Sequence, residues 1–143
     1  MVQIRPAGVE DEARLFELVC AFPTPTPPGA ASFKDALSAK LPDPSSYVAL
    51  AEQDAAIVGY VAGYCHPTFY ANGSTAWVDE LLVDPALRRR GVGRKLMEAF
   101  ETWAVSRGCT LVSLATSTAG SFYARLGYAT KASYYKKYLT HVR

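Results

Sequence analysis

The chain has 143 residues, the usual length of one domain, and half of its residues are apolar. Its charged fraction of 20% and net charge of +2 argue against a disordered chain and against a protein that coats nucleic acid. No apolar run approaches the roughly 20 residues of a membrane span, and Glu10, Asp11 and Glu12 break any signal-peptide pattern. One cytoplasmic domain, residues 1–143, is therefore predicted, without membrane or nucleic-acid partners.

The cysteines and histidines predict neither a disulfide framework nor a metal site. Cys20, Cys65 and Cys109 are an odd number and include no C-x-x-C pair. The two histidines lie far apart in the sequence, so no His-rich ligand set forms. Among these residues the neighbouring Cys65 and His66 are more typical of structural positions than of a nucleophile and its base.

The first third of the chain predicts a strand, two helices and a second strand. Residues 2–5 alternate like a short strand, and apolar residues recur at helical spacing over 10–21. The proline-rich stretch 22–31 cannot continue a helix or a central strand, so it is a loop that could act as a lid. A short helix over 32–41 and a strand over 47–52 follow.

The middle of the chain continues with strands over 56–64 and 75–83, joined by an Asn72-Gly73 turn signal. With the preceding strand they predict an antiparallel meander. Residues 91–107 carry the clearest helical pattern of the chain, and Gly108 ends it.

The last third predicts a buried strand over 110–116, a short helix over 118–126 and one or two final strands over 128–139. The long helix 91–107 connects the strands 75–83 and 110–116. Such a crossover normally makes the two strands parallel neighbours, so the sheet should be mixed.

A turn rich in arginine and glycine leads from the strand 75–83 into the long helix. It reads Arg88-Arg89-Arg90-Gly91-Val92-Gly93-Arg94 and follows Leu81-Leu82-Val83-Asp84-Pro85. Gly91 and Gly93 allow a sharp turn close to a ligand, and the free N–H groups at a helix start attract an anion. Because arginines surround the turn, it predicts a pyrophosphate site, although it matches neither the Walker loop nor the dinucleotide-binding glycine fingerprint.

A second motif follows the next predicted strand. It reads Phe122-Tyr123-Ala124-Arg125-Leu126-Gly127-Tyr128. This segment is similar to F/L-Y-x-x-L-G-F/Y, and the earlier turn is similar to R/Q-x-x-G-x-G/A preceded by L-x-V-x-P. The residues of the earlier match are Arg88, Gly91 and Gly93, preceded by Leu81, Val83 and Pro85. In this order the two motifs resemble the GNAT superfamily of N-acetyltransferases.

The resemblance implies a GNAT-like α/β (α+β) fold with a mixed, mostly antiparallel sheet of six to seven strands and about four helices. It also implies acetyl-coenzyme A as co-substrate and an amine as acceptor, while the cysteines and histidines predict no metal. The implied cofactor-binding residues are Leu81, Leu82 and Val83 for the pantetheine arm, Arg88, Arg89, Arg90, Gly91, Val92, Gly93 and Arg94 around the pyrophosphate, and Thr118 and Ser121. Many family members have an asparagine near the last two positions, where this chain has serine and threonine.

Acetyl transfer to an amine needs an acid for the thiolate and a base for the amine. Tyr123 is the candidate acid, by resemblance and because its reference pKa of about 10 suits a thiolate. Asp79 and Glu80 are the candidate bases. Since they are adjacent on a predicted strand, we expect them on opposite faces, with only one in the cleft. The resemblance favours Asp79, which shares a face with Trp77.

The sequence leaves two functional interpretations open. The main one is an enzyme that acetylates a primary amine of a small molecule or peptide; the other is a non-catalytic sensor that binds acyl-coenzyme A. A nucleic-acid-binding role for residues 88–94 lacks a wider basic surface. The identity of the acceptor and the oligomeric state, including a homodimer, stay open on the sequence alone.

Overall fold

The protein, seen in a computed structural model that describes residues 1–22 and 24–140, has one sheet with helices on both faces. The strands are β1 (Gln3–Pro6), β2 (Ser46–Gln53), β3 (Ala56–Pro67), β4 (Ser74–Val83) and β5 (Cys109–Leu114). The helices are α1 (Glu12–Cys20), α2 (Ala30–Lys40), α3 (Val92–Ser106) and α4 (Gly120–Arg125). None of these helices has the length and hydropathy to cross a bilayer.

The sheet has the strand order β1-β2-β3-β4-β5. Neighbours from β1 to β4 are antiparallel, whereas β4 and β5 are parallel and are connected by α3. The mixed, mostly antiparallel sheet predicted from the sequence is therefore confirmed, as is the number of four helices in the described part of the chain.

The predicted strand count of six to seven is wrong, because the described residues form five strands. The difference lies in 128–139, where the sequence predicts one or two strands and the structure has none. Tyrosine-rich sequence favours strands, but a strand exists only when a neighbouring strand accepts its backbone hydrogen bonds. Among residues 1–22 and 24–140, no strand pairs with this segment.

The two faces of the sheet are covered by different helices, as the alternation along β2 illustrates. Ala49 and Ala51 belong to the core under α3, whereas Val48 and Leu50 belong to the core under α1 and α2. Both cores are closely packed; the fully buried side chains include Tyr60, Leu50, Val61, Phe100, Leu96 and Met97. Helix α3 packs against both β4 and β5.

A β-bulge interrupts the pairing of β3 with β4. Ala62 lies opposite Glu80 and Gly63 opposite Val78, so Asp79 is an extra residue on β4 without a partner on β3. The bulge reverses the alternation of β4, because an extra residue shifts every later side chain to the other face. Accordingly Val78 packs under α3, while Leu82 packs under α1 and α2.

Gly63 sits at this bulge in close contact with the core. A Cβ placed there would lie 2.6 Å from Cε2 of Phe100 and would also meet the backbone oxygen of Trp77. We therefore expect Gly63→Ala to lower the free energy of unfolding by about 3 kcal/mol, measured by denaturant titration. Gly120→Ala is the control, because its Cβ would meet open space. Equal stability of the two variants would contradict this packing.

Candidate active site

A cleft opens where β4 and β5 separate. The two strands pair only between Ser74–Val78 and β5, although β4 continues to Val83. Residues 79–83 therefore have β3 on one side and, within the described part of the chain, no strand on the other. The backbone N–H and C=O groups of this open edge can pair with an extended ligand as they would with a further strand.

The predicted anion-binding turn lies at the end of this open edge. The Asp84 carboxylate accepts a hydrogen bond from the Ala86 N–H at 3.0 Å and starts the turn. Arg89 has φ 67° and Gly91 has φ 81°, both in the left-handed region. The first intrahelical bond of α3 runs from the Lys95 N–H to the Gly91 carbonyl. The amides of residues 92–94 therefore lack helical acceptors and point outward, as an anion requires.

Four arginines surround the turn, and all four are exposed. Arg88 donates from Nε to the Val83 carbonyl at 3.3 Å, and Arg94 pairs with Glu98 at 3.5 Å. Arg89 and Arg90 make no ion pair with the described residues, so both guanidinium groups are available to an anionic ligand. The positive end of the α3 dipole adds to this charge.

The second glycine of the turn has a different role from the one expected. A Cβ at Gly93 would lie 3.2 Å from Cζ of Phe122 and 3.7 Å from Cγ2 of Val83. Gly93 thus leaves space for the Phe122 ring, which packs α4 against the start of α3. By contrast, a Cβ at Gly91 would meet open space, as expected beside a ligand.

Tyr123 follows Phe122 on α4 and is half-buried. Its ring contacts Phe122 at 4.9 Å and Tyr128 at 5.9 Å between ring centroids. Burial raises the pKa of the phenol above its ordinary value, so the group keeps its proton at neutral pH. Its hydroxyl makes no hydrogen bond to the described residues, which leaves it free to donate to a ligand.

Tyr128, at the end of the second motif, holds α4 in place. Its N–H donates to the Tyr123 carbonyl at 3.0 Å, and its hydroxyl donates to Oε2 of Glu101 on α3 at 2.6 Å. Burial and this carboxylate raise the pKa of Tyr128. The motif alone does not reveal this partner, since Glu101 is 27 residues away in the sequence.

The loop before α4 contains the remaining predicted cofactor contacts. Oγ1 of Thr116 accepts hydrogen bonds from the N–H groups of Thr118 and Ala119, at 3.4 and 3.0 Å. The side chains of Thr118 and Ser121 are exposed, and their hydroxyls make no hydrogen bond within the described part of the chain. Both residues therefore remain candidates for ligand contacts at the start of α4.

The expectation that Asp79 and Glu80 lie on opposite faces of β4 is wrong. The bulge at Asp79 interrupts the alternation on which that expectation rests. Glu80 faces α1 and α2, as Leu82 does. Asp79 lies close enough to Lys40 on α2 for the lysine charge to act on its pKa. Both carboxylates therefore belong to the same side of the sheet, next to the cleft.

The two carboxylates have different surroundings. Asp79 is exposed at the bulge, yet desolvation by the nearby protein raises its pKa, with Lys40 acting in the opposite direction. Glu80 accepts a hydrogen bond at 2.7 Å from the hydroxyl of Tyr60, whose side chain is 1% exposed. Burial and the Glu80 charge raise the pKa of Tyr60, so this tyrosine acts as a donor.

A small cavity of about 80 Å³ lies beside Glu80, between the sheet and the helices α1 and α2. Its apolar lining includes Leu15, Val19, Phe33, Leu37 and Val48, and its polar lining consists of Lys40, Tyr60 and Glu80. Lys40 ends α2 far from the two motifs, so no sequence pattern points to it. Among the described residues, no group of three or more histidine, cysteine or acidic side chains could hold a metal ion.

Comparison with known proteins gives matches along most of the chain. The profile of the acetyltransferase (GNAT) family matches residues 12–128. An aminoalkylphosphonate N-acetyltransferase of Salmonella typhimurium is 29% identical, over 88% of this chain and 84% of the relative. An aminoglycoside N(6')-acetyltransferase type 1 of Klebsiella aerogenes is also 29% identical, over 75% of this chain and 73% of the relative. The solved glucosamine-6-phosphate N-acetyltransferase of Arabidopsis thaliana superposes with a TM-score of 0.86 at 20% identity, covering 98% of this chain and 99% of its own.

The contact between Gly93 and Phe122 can be tested by a double-mutant cycle. Gly93→Ala should lower the free energy of unfolding by about 1 kcal/mol net, because the ring clash outweighs the gain in helix propensity. In a Phe122→Leu background the same substitution should cost nothing, since the ring is gone. Additive effects in chemical denaturation would show that the two residues do not touch.

Proposed function

Because the chain belongs to the acetyltransferase (GNAT) family, we propose that it moves the acetyl group of acetyl-coenzyme A directly to a primary amine of a small molecule or peptide. The observation that carries this proposal is the open edge of β4 at residues 79–83, which has the basic turn at one end. The edge also has the two carboxylates at its bulge. Phe122 packs against Gly93, so the helix of Tyr123 lies next to the start of α3 and the basic turn.

The residues of the cleft fit acetyl-coenzyme A, which supplies an activated acetyl group when bound. The amides of residues 92–94, together with Arg89 and Arg90, would hold the pyrophosphate. Open space at Gly91 allows the phosphates to approach the backbone. The edge of Leu81, Leu82 and Val83 would accept the pantetheine arm as an added strand, and Thr118 and Ser121 would add contacts from α4.

In this mechanism Tyr123 protonates the leaving thiolate. Its raised pKa keeps the phenol protonated, and its hydroxyl has no competing partner within the described chain. The packing of Phe122 on Gly93 and the bond from Tyr128 to Glu101 would fix the phenol in position. A backbone N–H of β4 within Leu81–Val83 would stabilise the developing negative charge on the carbonyl oxygen.

The two carboxylates take separate tasks in this proposal. Asp79 accepts the amine proton, since it is exposed to solvent and desolvation raises its pKa above the ordinary value, which makes the carboxylate more basic. Glu80 binds the acceptor ammonium before the reaction, because the Tyr60 hydroxyl holds its carboxylate in one orientation. The amine would then enter the cleft from the side of α1 and α2.

The relatives suggest a small acceptor that carries polar groups besides its amine. One is named for aminoalkylphosphonates and another for aminoglycosides. Lys40 lines the cavity beside Glu80 and provides a cation for an anionic group of the acceptor. A panel of aminoalkylphosphonates, aminoglycosides, polyamines and peptides, followed by coenzyme A release, would identify the acceptor.

Tyr123→Phe separates chemistry from binding. With the best amine of the panel, turnover should fall by 10² to 10⁴, about 3 to 5 kcal/mol, because the thiolate loses its acid. Acetyl-coenzyme A affinity, measured by calorimetry, should stay unchanged since the ring remains. Unchanged turnover would remove Tyr123 from the mechanism. If the protein binds acetyl-coenzyme A but no amine of the panel causes release of coenzyme A, it is a binding module and not an enzyme.

The carboxylates can be distinguished by their pH profiles. In the parent, the rate at subsaturating amine should rise with pH as Asp79 loses its proton, since only the carboxylate is a base. Asp79→Asn should lack this rise of the rate with pH. Its kcat should be about 10²-fold lower near neutral pH, and the loss should be smaller at high pH, where free amine forms unaided.

Glu80→Gln is the matched comparison, because its amide oxygen can still accept the Tyr60 hydrogen bond. We expect its KM for the amine to rise about tenfold, with kcat changed less, because the substitution removes only the negative charge that would bind the acceptor ammonium. An active Asp79→Asn enzyme beside a Glu80→Gln enzyme with low kcat would assign the base to Glu80.

A further inference from the structure

Trp77 is an aromatic residue of β4 that the proposed mechanism does not use. It lies two residues before Asp79, and its neighbours Ala76 and Val78 are buried under α3. Since side chains alternate along a strand, Trp77 faces the other side of the sheet, where Asp79 and Glu80 lie. Its side chain is partly buried and belongs to neither core of the described residues, so core packing does not account for it.

Two aromatic residues lie next to the indole of Trp77. The ring of Tyr134, in the segment after α4, stacks on it with 6.1 Å between centroids and 20° between the ring planes. Tyr64 of β3 is its Cα partner across the sheet, and directly paired residues lie on the same face. Tyr64 in turn stacks on His66 with 5.5 Å between centroids. These contacts restrict the rotation of the indole and give it a defined orientation.

The polar edge of the indole acts on the carboxylate of Asp79. Desolvation is the largest influence on this carboxylate and raises its pKa, whereas Lys40 on α2 lowers the pKa and Glu80 raises it. Trp77 lowers the pKa as a hydrogen-bond donor. Because the only donor of this side chain is the indole N–H, that group lies beside the carboxylate and favours its charged form.

Asp79 needs such a donor because of its place in the strand. It is the extra residue of the bulge, without a partner on β3, and its side chain is exposed. A carboxylate that rotates freely spends little time in the orientation that an amine proton requires, and a misplacement of about 1 Å can cost on the order of 10² in rate. A donor on the same strand, two residues away, restricts this rotation.

We propose that Trp77 is the positioning residue of Asp79: its indole N–H holds the carboxylate in the orientation that accepts the amine proton, and Tyr134 holds the indole. The assignment rests on the proposed acetyl transfer, with Asp79 as its base. It also gives the segment after α4 a part in the reaction, because the stack of Tyr134 on Trp77 connects that segment to the proposed base.

Nuclear magnetic resonance tests the contact without any acceptor. The chain has two tryptophans and therefore two indole N–H resonances, and Trp77→Phe identifies the one that belongs to Trp77. This resonance should shift with pH as Asp79 titrates, and the transition should vanish in Asp79→Asn but remain in Glu80→Gln. The indole of Trp103, which stacks on Tyr47 at 5.1 Å, is the internal reference.

A Trp77 resonance that does not titrate would overturn the proposal, and so would a transition that survives Asp79→Asn or disappears in Glu80→Gln. Failure of every amine to be acetylated would refute the proposed function instead, because the resonance titration judges the contact in the free protein.

Kinetics with the best amine of the panel test the role in the reaction. Trp77→Phe keeps a ring for the stack but lacks the N–H, so kcat near neutral pH should fall about tenfold. The rise of the rate with pH should move to higher pH, because the carboxylate loses a donor that stabilises its charged form. In an Asp79→Asn background the same substitution should cost nothing further. Acetyl-coenzyme A affinity should stay unchanged.

Trp103→Phe is the matched control, because it makes the same change in a tryptophan that stacks on Tyr47 and not beside Asp79. It should keep kcat and the pH profile. Tyr134→Ala retains the indole N–H but removes the stack, so its kcat should fall less than that of Trp77→Phe. Full kcat in Trp77→Phe, an equal loss in Trp103→Phe, or an additive loss in the Asp79→Asn background would each contradict the positioning role.

Discussion

The structure depends on the early separation of β4 from β5. Parallel strands joined by a helix normally pair along their full length, but here the pairing stops at Val78 while β4 continues to Val83. The backbone exposed in this way must find hydrogen-bond partners outside the sheet. The proposed cofactor site, with the basic turn at one end of this edge, follows from that single constraint.

The bulge at Asp79 adds a chemical function to this geometry. A regular strand would place Asp79 and Glu80 on opposite faces, and one of them would lie in the core under α3. The extra residue instead brings both carboxylates to the side of α1 and α2. Gly63 makes the bulge feasible, because it leaves room for Phe100 and for the backbone of Trp77.

Helix α4 has only six residues and is held by tertiary contacts rather than by its own propensity. Phe122 packs against Gly93 of α3, and Tyr128, just after α4, donates a hydrogen bond to Glu101 of α3. The two sequence motifs are therefore parts of one unit: the helix that would bind the pyrophosphate also positions the tyrosine proposed as acid.

The sequence by itself determined the elements up to residue 126, the mixed sheet and the family, because hydrophobic periodicity and two local motifs carry that information. It also predicted a sharp turn at Gly91, where the structure has the left-handed conformation that glycine adopts readily. Only the tertiary structure decided the bulge at Asp79, the Tyr60–Glu80 bond and the place of Lys40, because these depend on contacts between distant residues. The strand predicted over 128–139 did not form in the single chain for the same reason: strand propensity is local, whereas the partner that completes a strand is not.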